Sequence, residues 1–286
     1  MIITKLMGGL GNQMFQYALG RHLAMLKNAS FYLDITYYEA DKLRKYELDC
    51  FNIQAQIADK KILDNFHHIN RWQRLWQYIG ILSNRNLGIE EPHFHYAENI
   101  VKNHKKNIYL SGYWQSEKYF KGAETSIRKD FTLVKPLPLK AQEYETQIKC
   151  KNSVSVHIRR GDYVSNTAVL NLHGICSLNY YQQGIELIKQ RTEKPTFFVF
   201  SDDIAWCKAN VQIDNELVFI EGLQSDYEDL HLMSLCNHHI IANSSFSWWG
   251  AWLNPNPNKI VIAPKKWFAT TERNYKDVIP KTWIKI

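Results

Sequence analysis

"VSVHIRRGDYVS", residues 154–165, decides the fold. Val154 to Ile158 is a run of small and β-branched residues, the pattern of a strand buried inside a sheet. Arg159, Arg160 and Asp162 then follow without a gap. Two adjacent permanent cations at the end of a buried strand call for an anion beyond it. Neighbouring strand residues point to opposite faces, so only one guanidinium can meet a ligand directly. The other is expected to buttress an acidic neighbour, Asp162 being nearest.

Outward from this stretch, apolar strands are expected at 153–158, 197–201, 217–220, 238–243 and 259–263. Helical patterns separate them: Tyr181, Ile185 and Ile188 mark one helix face, and 203–210, 226–236 and 246–253 mark others. Strands alternating with helices predict a parallel, doubly wound α/β sheet. Such sheets bind ligands beyond the carboxyl ends of their strands. At those ends stand "RRGDY", "SDD" (201–203), "EGLQSD" (221–226), "NSSFS" (243–247) and "PKKW" (264–267). Cations, hydroxyls and helix starts on one edge suit a phosphate-bearing ligand. A planar arginine fork matches a pyrophosphate. Ser244, Ser245 and Ser247 open a helix, either as an anion site or as a simple cap. Asp202 or Asp203 could accept from ribose hydroxyls or a base amino group, or cap the helix in which Asp203 falls. Trp248, Trp249 and Trp252 read as core.

The first half opens with a strand at 2–7 and then "GGLGNQ" (8–13). Phe15, Ala18, Leu19, Leu23 and Leu26 form one apolar helix face. Further strands are expected at 30–35 and 107–114, and a helix over 116–131 capped by Ser116. The intervening 40–105 is mixed. The glycine loop sits where a dinucleotide fingerprint would, but after Gly9 and Gly11 the third glycine position is Met14, so a redox cofactor is not supported. Gly9 and Gly11 still allow close backbone approach to a ligand, with Asn12 and Gln13 as neutral donors. "TLVKPLPLK" (132–140) carries two prolines and no periodicity, and reads as the hinge between domains at 1–140 and 141–286.

Composition narrows the class. The 286 residues carry a formal net charge of +7 and 45% apolar residues, with nine Trp, sixteen Tyr and thirteen Phe. A basic balance favours acidic partners without choosing among them. The five cysteines show no C-x-x-C pair, which fits free thiols in a reducing cytosol. The histidine pairs lack companion ligands at metal spacing. No secretory signal is visible, and no run nears the roughly 18 apolar residues of a membrane span. The expected location is the cytoplasm, with at most peripheral contact at the inner face of the plasma membrane. A nucleic-acid-binding module would show a basic stripe, whereas Lys and Arg are scattered here. A glycan-binding protein without catalysis is the other rival.

"GGLGNQMFQYALGRHLA" (8–24), "HIRRGDY" (157–163) and "NSSFSWWGAWL" (243–253) together resemble the family 11 glycosyltransferases, α-1,2-fucosyltransferases that use GDP-fucose. "GYWQSEKYF" and "HGICSLNYY" look similar to members that build bacterial surface glycans. The resemblance covers nearly the whole chain. It implies a GT-B-like architecture of two facing Rossmann-like halves, with a galactose-terminated acceptor in the first and GDP-fucose mainly in the second. It implies that Arg159 holds the β-phosphate, that His157 lies near the guanine and that Asp202 or Asp203 contacts the nucleoside. It further puts Ser244, Ser245 and Ser247 at the phosphates, and Asn12 near fucose and diphosphate. The expected reaction is a metal-independent inverting transfer to the 2-hydroxyl of a terminal β-galactose. In α-1,6 relatives the proposed base is a glutamate ten residues after the motif histidine; here that position is Thr167, so the base does not carry over. Asp162 and His173 are the catalytic candidates by residue type and position. Asp162 beside two arginines is the weaker base, because cations lower its pKa.

Overall fold

The computed structural model describes residues 1–67, 86–161, 170–172, 174–270 and 274–286. It divides into two compact units, Met1–Val134 and Lys135–Ile286. The α/β, GT-B-like class expected from the sequence is the class found: each unit is a parallel sheet with helices between its strands.

In the first unit, β1 (Ile2–Lys5) leads through the glycine turn into α1 (Leu10–Lys27), then β2 (Phe31–Asp34) and α2 (Tyr37–Ala40). β3 (Gln56–Ile57), β4 (Asn86–Glu90) and β5 (Asn107–Ser111) complete the described sheet, in the order β3-β2-β1-β5-β4 with every neighbour parallel. The chain steps from β1 through β2 to β3 on one side, while β4 and β5 lie on the other. The strand order therefore reverses between β1 and β5, and a crevice opens at their carboxyl ends. The single helix expected over 116–131 is two: a 3-10 turn at Glu117–Phe120, capped by Ser116, and a helix at Glu124–Asp130. Gly122, at a φ of +94°, breaks them apart, because a left-handed residue cannot continue a right-handed helix.

In the second unit the order is β11-β10-β9-β6-β7-β8, comprising β6 (Ser153–Ile158), β7 (Thr196–Ser201), β8 (Leu217–Phe219), β9 (His238–Ile240), β10 (Val261–Ala263) and β11 (Ile284–Lys285). β6 is central and buried along its whole length. One face presents Val154, Val156 and Ile158 to Tyr181, Ile185 and Ile188 of a helix at Leu178–Lys189. The other face is polar, and two of its three side chains, Ser153 and Ser155, are hydrogen-bonded. Ser155 Oγ lies 2.8 Å from His239 Nδ1, and His239 Nε2 lies 2.8 Å from Asn254 Nδ2. Burial holds His239 well below the ordinary imidazole range and so neutral, which suits a histidine between two neutral partners. Here the strand order reverses between β6 and β9, so this unit's crevice opens beyond Ile158 and Ile240.

The break between units falls after Val134, a few residues before the boundary read from the sequence. The helix at Leu139–Lys149 belongs to the second unit, where the Tyr144 hydroxyl donates to the Glu221 carbonyl at 3.3 Å. Among the described residues no helix is long and apolar enough to cross a membrane.

Candidate functional site

The second unit's crevice receives Arg159 from the end of β6. The two guanidiniums take different carboxylates, as alternation requires. Arg159 Nη1 lies 2.9 Å from Asp202 Oδ2. Arg160 Nε lies 3.4 Å from Asp203 Oδ2, and its guanidinium sits 3.7 Å over the Trp206 ring. The described buttress of Arg160 is thus Asp203 with Trp206; the Asp162 that proximity in sequence suggested lies outside the described residues. Asp202 also accepts the Arg160 backbone N–H at 2.8 Å. A Cβ at Gly161 would stand 2.6 Å from Asp202 Oδ2, so the chain passes this carboxylate where a side chain would collide with it.

This arrangement gives each of the two aspartates a partner within the protein. Asp203 caps the helix Ile204–Asn210 by accepting the Trp206 N–H at 3.1 Å. Asp202 is occupied by the arginine fork. Each aspartate is thus the counter-charge of one of two adjacent cations. Asp202 orients Arg159, and both carboxylates stay partly exposed.

His157, two residues before Arg159 and on the same strand face, is almost fully buried, and its Nδ1 has no hydrogen-bond partner. Burial first, and the Arg159 charge second, depress its pKa and keep the imidazole neutral. Its ring centroid is 5.7 Å from that of Phe246. That contact brings the end of β6 to the start of the helix Ser245–Leu253. There Ser244 makes the cap, accepting the Phe246 N–H at 3.3 Å. Ser247 is buried and donates to the Ser244 carbonyl at 3.4 Å, so its hydroxyl is turned inward and is not the phosphate contact expected of it. Ser245 is the half-buried member of the three. Trp248, Trp249 and Trp252 are core, with Trp248 Nε1 donating to the Val278 carbonyl at 2.8 Å.

One carboxyl on this edge escaped the sequence reading. Asp229 lies in the first turn of the helix Asp226–Leu235, which follows β8. Burial, then the neighbouring Asp226 and Glu228 charges, push its pKa up to about 7. A carboxyl tuned to neutrality at a strand end is a functional signal of the kind found in binding sites. In the sequence it sits unremarked in the acidic run "SDYED".

The first unit's crevice is built differently. Gly8 has a φ of +76°, and a Cβ there would stand 2.6 Å from the Asn12 side-chain nitrogen, so the turn demands glycine. Gly9 is the residue before α1, and Gly11 is buried inside the helix's first turn. Gln13 is fully buried: its amide donates to the Gly8 and Lys45 carbonyls at 3.1 and 2.8 Å and accepts the Glu47 N–H at 2.9 Å. It staples the glycine turn to the loop after α2 and has no face for a ligand, contrary to its expected role as a donor. Asn12 is half-buried, with its side-chain oxygen accepting from Gln115 at 2.8 Å. That bond fixes the amide's orientation and leaves Asn12 the polar residue of the turn best placed to meet a ligand.

Asp162, Thr167 and His173 lie outside the described residues. Among the described residues no group of three or more His, Cys, Asp or Glu is placed to hold a metal ion.

The whole chain, residues 1–286, matches the family described as Glycosyl transferase family 11, and the chain belongs to that family. It is 40% identical to an Alpha-1,2-colitosyltransferase of Escherichia coli, over 100% of this chain and 98% of that one. It is 33% identical to the O-antigen biosynthesis glycosyltransferase WbnK of Escherichia coli, over 98% and 99% respectively. In fold it resembles the NodZ α-1,6-fucosyltransferase crystal structure soaked with GDP-fucose, with a TM-score of 0.51, 13% identity, and coverage of 89% of this chain and 92% of that one.

Proposed function

We propose that this member of glycosyl transferase family 11 moves L-fucose from GDP-β-L-fucose to the 2-hydroxyl of a terminal β-galactose, building an α-1,2 linkage in a surface glycan or O-antigen. The observation that carries the reading is the meeting, at one switch point, of the Arg159–Asp202 pair, neutral His157 and the helix start at Ser244–Ser245. A cation of fixed direction beside a helix N-terminus suits a diphosphate. The likeness to a fold that carries GDP-fucose, and to an α-1,2 glycosyltransferase at high coverage, supports the same donor class and linkage.

The donor carries its nucleotide on the β face, so an α-linked product requires one displacement with inversion. The acceptor oxygen attacks as the bond to GDP breaks, and negative charge grows on the leaving phosphate. Arg159, held by Asp202, meets that charge, and the Ser244–Ser245 turn adds neutral donors; stabilisation of this kind is the largest contribution the protein makes. A guanidinium and helix-end donors replace a divalent cation, so the reaction needs no metal. The base that takes the acceptor proton is Asp162 or His173. The enzyme works in the cytoplasm or peripherally at the inner membrane face.

A second reading is favoured by the 40% identity to the colitosyltransferase. Colitose is fucose without its 3-hydroxyl, so the same diphosphate site and the same inversion would serve either sugar.

One experiment separates the two. GDP-fucose and GDP-colitose are each incubated with β-galactosides, with and without excess EDTA, and GDP release and product linkage are read. Transfer from GDP-fucose to the 2-position, undiminished by EDTA, is expected. Transfer from GDP-colitose alone assigns the second reading. No transfer from either, with GDP failing to raise the melting temperature, overturns both.

A further inference from the structure

At its carboxyl end the first sheet carries the glycine turn, which the Tyr38 hydroxyl ties down by donating to the Gly8 carbonyl at 2.9 Å. Its amino end carries a surface that the transfer chemistry leaves unused. α1 has 18 residues and is about 27 Å long, whereas the four residues of β1 span about 13 Å, so the helix outruns the strand it packs on. The apolar face read from the sequence shows the consequence. Phe15, Ala18, Leu19 and Leu23 are fully buried, but Leu26, the last of the series, is 60% exposed, and its neighbour Met25 is 40% exposed. Asn28, at a φ of +45°, ends the helix, and the Ala29 N–H returns to the Ala24 carbonyl at 2.9 Å. That closure holds Met25 and Leu26 at the surface in a finished last turn.

Beside this turn runs the basic segment that leads into β5. The Lys27 amine donates to the Asn103 carbonyl, which seats the end of α1 against residues 102–106. Lys102, His104, Lys105 and Lys106 are exposed. Asn103 Oδ1 accepts the Lys105 N–H at 2.8 Å, so a side chain fixes the turn that carries these cations. In residues 21–30 and 98–107 the one acid is Glu98, which pairs with Lys102 at 2.9 Å. Four lysines thus stand against one carboxylate, next to two large apolar side chains.

We propose that this end of the first unit docks on an anionic lipid bilayer. Lys102, Lys105 and Lys106 lie among the phosphate headgroups, and Met25 and Leu26 enter the boundary between headgroups and acyl chains. Clustered lysines facing an anionic leaflet, and apolar side chains that sink into the interface, together hold a protein peripherally. Charge alone would serve an acidic protein surface equally well, and the apolar pair decides between the two. Protein interfaces are depleted of lysine and need a broad, packed core. Two apolar side chains beside long, flexible lysines match a fluid headgroup layer instead, where the cationic ends stay hydrated while the apolar ends leave water. Docking at the amino ends of the strands leaves the crevice at the carboxyl ends of the same sheet on the far side, open to its ligands. The inference stands on the first unit alone and not on the transferase reading.

Vesicle co-sedimentation of the full chain tests it, with phosphatidylglycerol–phosphatidylcholine vesicles against phosphatidylcholine alone. The wild type should bind the anionic vesicles, bind the neutral ones about tenfold more weakly or less, and be released by salt. Lys105→Glu/Lys106→Glu should weaken binding about tenfold or more, and Leu26→Ser about fivefold or more at unchanged charge. Both variants should keep the wild-type melting temperature, since the altered side chains are exposed. Failure of the wild type to bind anionic vesicles overturns the proposal. So does binding that both folded variants retain in full. Binding that falls with the charge reversal but not with Leu26→Ser overturns it too, and leaves an acidic protein surface as the partner the lysines fit. Transfer to a soluble galactoside, measured beside it, should be equal in wild type and variants. Absence of that transfer in the wild type would sink the transferase reading and leave the vesicle result standing.

Discussion

The two sheets share a topology and differ in what they place at the reversal of strand order. In the second unit the edge is charged, with two arginines against two aspartates and a neutral histidine behind them. In the first unit the edge is glycine, amide and tyrosine, and its most conspicuous polar residue, Gln13, is entirely consumed by the backbone. One scaffold thus holds arginines oriented by carboxylates at one edge, and loops oriented by a buried amide at the other. The same residue class, a polar side chain beside a turn, orients a cation in one unit and staples a loop in the other.

The comparison breaks most sharply at Arg159. Arg159→Lys keeps the charge but loses the planar fork and the direction that Asp202 imposes. If Arg159 acts on charge that develops in the transition state, kcat should fall roughly a hundredfold, about 3 kcal/mol, with a smaller change in donor KM. Arg160→Lys should instead lower the melting temperature, since it loses its stack on Trp206. Steady-state kinetics beside melting curves distinguishes the two. A folded Arg159→Lys enzyme with near-normal turnover would move the phosphate to another side chain.

Gln13→Ala is the mirror experiment. It removes a buried amide that makes three hydrogen bonds and leaves the Gly8 and Lys45 carbonyls and the Glu47 N–H without that partner. The expected cost is about 2 kcal/mol, seen as a melting temperature lower by about 5 °C. GDP should still raise the melting point of the variant. If the variant melts like the wild type but loses GDP binding, Gln13 is a ligand donor after all.

How much of this was legible follows from the physics of each signal. The strand at 153–158 was readable because Val154, Val156 and Ile158 alternate along it at the strand period, with Ser155 and His157 between them. The strand expected at 238–243 is shorter, His238–Ile240, although the Ile241 N–H still donates to the Ile262 carbonyl at 3.0 Å. The short strands at Gln56–Ile57 and Asn86–Glu90 went unseen, because both residues of the first are exposed and neither strand has an apolar run. The linker at 132–140 was visible in its prolines, but the helix that opens at Leu139 was not given to the unit it packs on. At the site, the motif arginines and serines were visible as types, while their partners were not: that Asp202 faces Arg159, or that Gln13 turns inward, is set by contacts between residues far apart in the chain.

Asp229 carries the smallest effect and the clearest sign. Its carboxyl is pushed up to about 7 by burial and by Asp226 and Glu228, whereas in the unfolded chain it titrates near its ordinary value of 3.8. Between those two values the folded protein binds the proton and the unfolded chain does not. Stability therefore falls as pH rises through that window and levels off above it. Asn cannot ionise, so Asp229→Asn escapes the loss. In nucleotide-free protein the variant should match the wild type near pH 4 and melt higher at pH 8. Solvent at this half-buried site reduces the full linkage value, which leaves about 1 kcal/mol, or about 2–4 °C. The measurement is the difference in Tm between variant and wild type from pH 4 to pH 8. A difference that does not change with pH means that Asp229 ionises normally. A difference of the expected sign that vanishes when GDP saturates the wild type means that the ligand supplies what the fold withholds, a donor to the ionised carboxylate. Asp229 would then join Arg159 on the charged edge as a residue whose cost to the apo fold is recovered on binding.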